Sequence, residues 1–120
     1  MIRSRANGFP KMLSPFTALL LFLSAVLEAG GDALVRKGLH AAAFARLTFL
    51  LSGAVMLFAY GYVVNTPPWD FGRLLGVYVV FFFLVAQAIS WVFFGQPPNG
   101  GTLTGGALIV AGGIVVFIRG

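Results

Sequence analysis

The chain has no cysteine, a single histidine (His40) and only three acidic residues, Glu28, Asp32 and Asp70, in 120 positions. Without cysteine there is no disulfide framework, no thiolate zinc site and no cysteine nucleophile. One histidine cannot build a multi-histidine metal centre, so neither a metal nor a cofactor is expected. Charge of either sign is scarce: 9% of residues are charged, against ~25% in a soluble domain. That excludes an ordinary soluble enzyme. No phosphate loop, nucleophile elbow or dinucleotide fingerprint is present, and the chain is read as a non-enzyme.

What the chain has instead is apolar length, with 59% hydrophobic residues. A helix rises ~1.5 Å per residue and the hydrocarbon core is ~30 Å thick, so about 20 apolar residues cross it. Four runs qualify: Phe16 to Val35, Leu47 to Val64, Leu74 to Phe94, and a shorter Leu103 to Ile118 that stops at Arg119. Between them lie breakers, Arg36-Lys37-Gly38-Leu39-His40, then Asn65-Thr66-Pro67-Pro68-Trp69-Asp70-Phe71-Gly72-Arg73, then Gly95-Gln96-Pro97-Pro98-Asn99-Gly100-Gly101. Such short loops make sequential spans antiparallel neighbours. The expected fold is therefore an all-α integral membrane protein, a four-transmembrane-helix bundle with short loops. Residues 1–15 read as a basic N-terminal extension and 16–119 as one transmembrane domain.

Arg3, Arg5 and Lys11 before an apolar run imitate a secretory signal, but the run is too long for a signal core and three more spans follow it. Met12 offers an alternative start. The net charge of +5 sits in span flanks, not on a shared polar surface, so it reads as membrane flanking and not as a nucleic-acid footprint. With four spans, one side carries Arg3, Arg5, Lys11, Arg73 and Arg119 and the other Arg36, Lys37 and Arg46. Without the extension the balance is nearly even, which leaves single and dual orientation both open.

The first run holds the unusual chemistry. A carboxylate inside a membrane helix costs at least ~2.5 kcal/mol and is normally functional. Ser24, Glu28, Asp32 and Arg36 follow one another at i+4 and form a polar ladder along one helical face, while Gly30 and Gly31 remove bulk so that a backbone or a ligand can come close. Asp32, nearer the helix end, is expected to pair with Arg36. Glu28, deeper in, is the candidate proton carrier, because a low-dielectric surrounding penalises the charged form of a carboxyl. A protonatable acid in a bundle can exchange a proton for a cation, and that chemistry is transport. Trp69, Tyr60, Tyr62, Trp91 and Phe81-Phe82-Phe83 read as belt or core packing, and Gln87 with Ser90 as interhelical hydrogen-bonding glue.

The run Ser90-Trp91-Val92-Phe93-Phe94-Gly95-Gln96, with Gly105-Gly106-Ala107-Leu108-Ile109-Val110-Ala111-Gly112-Gly113-Ile114 in register behind it, resembles the small multidrug resistance family of four-helix proton-coupled exporters. The first-helix pattern of Glu28, Gly31 and Arg36 matches as well, and the likeness runs from about Thr17 to the end of the fourth run. Gly72-Arg73 and Gly76-Val77-Tyr78 are also similar to a related group of small four-helix membrane proteins of uncertain function.

The resemblance implies a homodimer, antiparallel in the bilayer, in which the two Glu28 carboxylates bind either protons or a small cationic substrate. Asp32 and Tyr78 join Glu28 as substrate- and proton-binding residues, Gly31 and Trp91 support them, and Gly105 with Gly112 forms the dimer face. A bacterial-type inner membrane is the implied location. Departures from that family's pattern are equally specific: two of its tyrosines fall on Val55 and Leu75, the glycines that kink its third helix fall on Val80 and Phe82, and Asp32 is an additional acid. The reading is a secondary transporter exporting small cations in exchange for protons. The alternatives are a non-transporting accessory or scaffold subunit, or half of a heterodimeric transporter of cations or lipid-linked sugars.

Overall fold

The computed structural model describes residues 13–120, in which four helices account for nearly the whole chain: α1 (Pro15–Leu39), α2 (Ala43–Val64), α3 (Phe71–Phe94) and α4 (Gly100–Arg119). All four are long and apolar enough to cross a membrane, and among the described residues there is no strand. The protein is a four-span all-α membrane bundle. The basic residues of the expected N-terminal extension up to Lys11 lie outside the described residues.

Each helix outruns the apolar stretch that announced it, because capping and interfacial residues extend it past the hydrocarbon core. Helix α1 starts at Pro15, whose missing N–H costs nothing in a first turn, and the Ser14 side chain caps it by accepting from the Thr17 amide at 3.0 Å. It then continues through Arg36 and Lys37, two cations set against the carbonyl end of the helix. Helix α4 begins at Gly100, not at Leu103, since Asn99 accepts from the Thr102 amide at 2.8 Å. Its 20 residues make it a full span where the apolar run alone was short. Helix α3 ends at Gly95 in the left-handed region, φ 65°, with Gly95 and Gln96 amides donating to Trp91 and Ser90 carbonyls.

Neighbour relations differ from the expectation of sequential packing. Helix α1 packs on α2 and on α3, and α3 packs on α4, but the α2 and α3 backbones do not approach each other despite their short connection, and the two helices meet only through side chains near that connection. The order across the molecule is α2, α1, α3, α4, with α1 parallel to α3. Close approach decides this. Gly31 and Gly53 let the α1 and α2 backbones nearly touch, such that a Cβ on Gly53 would lie 2.9 Å from the Gly31 carbonyl oxygen and 2.7 Å from Val35 Cγ2. Helix α1 thereby holds α2 on one flank and offers the other to α3.

The core sits toward the end that holds the α2–α3 connection. Leu21, Ala25, Val64, Leu74, Val77 and Tyr78 are buried together there. Arg73 is buried with them, its guanidinium 4.5 Å from the Trp69 ring centre and 5.1 Å from that of Phe117 while it donates to the Phe117 carbonyl at 3.1 Å. This arginine ties the start of α3 to the end of α4.

Candidate functional site

Glu28 lies thirteen residues in from Pro15 and eleven short of Leu39, near the middle of this membrane-length helix. Its partner comes from α3: the Tyr78 hydroxyl donates to Glu28 Oε1 at 2.8 Å. Tyr78 is buried at 3% exposure and is held in place by two further rings. Tyr60 of α2 stacks on it with centroids 5.6 Å apart, and Phe82, one turn along α3, tilts against it at 6.3 Å. A carboxyl group in a low-dielectric interior needs a hydrogen-bond partner, and Tyr78 supplies one from across the helix interface.

Three helices thus converge on one carboxylate. Phe82 also forms a wall of a neighbouring cleft of about 180 Å³ between α1 and α3, in which Asp32, Arg36, Ser90 and Gln96 provide the polar lining. Asp32 is exposed in this cleft. The expected Asp32–Arg36 pairing is not formed: among the described residues Asp32 makes no ion pair, and the Arg36 guanidinium sits 5.7 Å from the centre of the Phe94 ring instead. Ser24, the fourth member of the ladder, is buried and bonds back to the Leu20 carbonyl at 2.7 Å.

Of the residues singled out in the sequence, Glu28 and Tyr78 meet directly and Asp32 stands one turn away. Gly31 serves the α1–α2 contact, so the backbone that comes close to it is that of Gly53. Trp91 is 60% exposed on the outer surface of α3 and does not reach the carboxylate. Ser90 bonds to Gln96 in its own chain turn, at 3.0 Å to the carbonyl, and so is a helix-end contact instead of interhelical glue. Gly105 and Gly112 have nothing within 4 Å of a Cβ position, whereas Gly106 faces Phe83 and Gly113 faces Val80. The face of α4 bearing the first pair is therefore turned away from the subunit's own helices.

Tyr60 is the residue that sequence reasoning assigned elsewhere. Its place near the end of an apolar run suggested an interfacial ring, and the gapless likeness put the second-helix aromatic at Val55, which is exposed at 69%. Tyr60, more than a turn further along, is the α2 aromatic that reaches Tyr78. The signal that would have found it is the spacing within α2: Gly53 is fixed against α1, and a residue seven further on returns to the same face.

The match to a family model extends over residues 15–120, all four helices, and the model is described as the uncharacterised YnfA/UPF0060 family. The chain belongs to the YnfA/UPF0060 family. Its relatives include a UPF0060 membrane protein from Herpetosiphon aurantiacus, 32% identical over 105 residues that cover 85% of this chain and 94% of the relative. Another, from Mycolicibacterium vanbaalenii, is 37% identical over 105 residues, covering 84% and 94%. No solved structure matches the chain. The relatives are named as membrane proteins and no substrate is named for them, and the likeness to small multidrug resistance proteins remains one of motifs.

Proposed function

We propose that this YnfA/UPF0060 protein is a secondary transporter that exports small cations in exchange for protons, with Glu28 as the exchanging group. The observation that carries the reading is the hydrogen bond of Tyr78 to Glu28 midway along α1, inside a half-ring of Tyr60, Tyr78 and Phe82. An ionisable side chain at that depth is expensive to retain without a role. The surrounding ring faces attract a cation through their quadrupoles, and the Tyr78 hydroxyl orients the carboxylate toward whichever positive charge, proton or substrate, it holds. Asp32 in the adjoining cleft gives an entering cation its first carboxylate. The motif likeness to the small multidrug resistance family supports the same reading. So does the unpartnered Gly105–Gly112 face, which suits a homodimer contact between small residues.

The test is current from sealed proteoliposomes with a panel running from guanidinium through polyamines to aromatic quaternary ammonium ions. Wild-type protein is expected to move charge with at least one of these ions, and Glu28→Gln is expected to remain folded and move none. Proton-coupled export that survives in Glu28→Gln would sink the proposal. A wild type silent toward every cation would turn attention to the accessory-subunit reading and to capture of partner subunits in mild detergent.

A further inference from the structure

Because α2 and α3 both lean on α1 and their backbones stay apart, with their side chains meeting only toward the Tyr60–Tyr78 end, the gap between them at the other end is a groove of about 540 Å³, floored by α1. Its floor is kept low by Gly30 and Ala33, and its walls are Phe49 and Met56 of α2 and Ile89 and Phe93 of α3. The one charged lining residue is Lys37, seven residues from Gly30, at the membrane-surface end. Seven residues of helix rise about 10 Å, which is most of one leaflet of a hydrocarbon core ~30 Å thick. The volume falls in the range of ligand sites, roughly 300–1,000 Å³.

Cations are concentrated at that end. Lys37 Nζ lies 5.1 Å from the centre of the Phe94 ring, Arg36 lies over the same ring, and Arg46 at the start of α2 donates to the Leu39 carbonyl at 3.3 Å. Among the described residues none of the three has a carboxylate partner. Positive charge at the surface above an apolar slot running into the membrane is the complement of a phospholipid, negative headgroup above and acyl chain below. Basic pockets between transmembrane helices are recognised by anionic headgroups for this reason. A hydrophobic helix seated in the slot would leave Lys37 covered and uncompensated, which is costly.

We infer that the groove between α2 and α3 holds one acyl chain of an anionic phospholipid whose phosphate is bound by Lys37 with Arg36 and Arg46. The inference stands on this groove alone and does not depend on the transport reading.

Native mass spectrometry of protein equilibrated with equal phosphatidylglycerol and phosphatidylcholine of identical chains tests it. Wild type is expected to retain one phosphatidylglycerol per subunit in clear preference to phosphatidylcholine. Lys37→Gln, a change at an exposed helix end that leaves the fold intact, is expected to lose about fivefold of that preference. Ala33→Phe, which fills the floor, is expected to retain neither lipid. Equal retention of the two lipids by wild type overturns the inference, as does undiminished preference in Lys37→Gln. Since the chain has no native cysteine, Met56→Cys reports a second copy in the groove: disulfide-linked dimers without retained lipid would also overturn it.

Discussion

Helix α4 carries two glycine pairs at the same seven-residue spacing, one residue out of phase, and the same substitution is expected to act on them with opposite sign. At Gly105 and Gly112 an added Cβ meets nothing in the subunit. Alanine there only improves helix propensity, by about 1 kcal/mol per site, so the Gly105→Ala/Gly112→Ala pair should stabilise an isolated subunit by up to about 2 kcal/mol. At Gly106 the Cβ would fall 2.5 Å from Phe83 Cε2, and at Gly113 it would collide with Val80. Val80 is β-branched and stiff at χ1, so the α3–α4 interface must open. Overpacking of this kind costs about 1–3 kcal/mol per site. Set against the propensity gain, the Gly106→Ala/Gly113→Ala pair should lose up to about 4 kcal/mol.

Thermal unfolding in detergent, at a dilution where the subunit is monomeric, reads both pairs on one scale. Self-association is read separately, by energy transfer between labelled subunits in liposomes, using the bulkier Gly105→Leu/Gly112→Leu. The expected pattern is a raised melting temperature for the outer alanine pair, a lowered one for the inner pair, and loss of energy transfer for the outer leucine pair. Destabilisation of the monomer by the outer alanines would refute the placement of that face, and undiminished energy transfer in the leucine variant would refute its role in self-association.

Removing the Arg73 guanidinium deletes its bond to the Phe117 carbonyl and its contacts with two rings, so Arg73→Ala should cost about 2–4 kcal/mol in chemical denaturation. Arg73→Lys, lacking the planar guanidinium that lies over both the Trp69 and Phe117 rings, should recover little of it; full recovery would refute the ring-contact argument. At the α1–α2 crossing, Gly53→Ala sets a methyl against the Gly31 carbonyl oxygen, and a backbone atom cannot swing aside. A loss of at least about 1–3 kcal/mol is expected in the same assay, and unchanged stability would mean that the two helices do not approach as closely as described.

Which properties of this protein can be read from its sequence follows from where each property resides. Span number is local: twenty apolar residues between breakers are a membrane helix wherever they stand in the fold, and all four were legible. Their ends were less so, because Ser14, Asn99 and the Arg36-Lys37 turn extend the helices by capping and dipole contacts that hydropathy does not register. The carboxylate at Glu28 was legible for a similar reason, since its cost depends only on depth. Its partner Tyr78 was reached through family likeness, and Tyr60 was not reached, because a ring pair across two helices depends on which helices are neighbours.

That neighbour order was the real unknown, and short loops gave only part of it: α1–α2 and α3–α4 pack as sequential neighbours, while α1 comes between the bodies of α2 and α3. A loop limits how far apart two helix ends can be and says nothing about which helix comes between the helix bodies. Here the deciding feature is a pair of glycines, Gly31 and Gly53, that draws α2 onto α1 so closely that the other flank of α1 is left for α3. The same insertion of α1 brings Glu28 to Tyr78 on one side and opens the groove above Gly30 and Ala33 on the other. The carboxylate site and the groove are two consequences of one close helix crossing, so a substitution that loosens Gly53 should disturb both together.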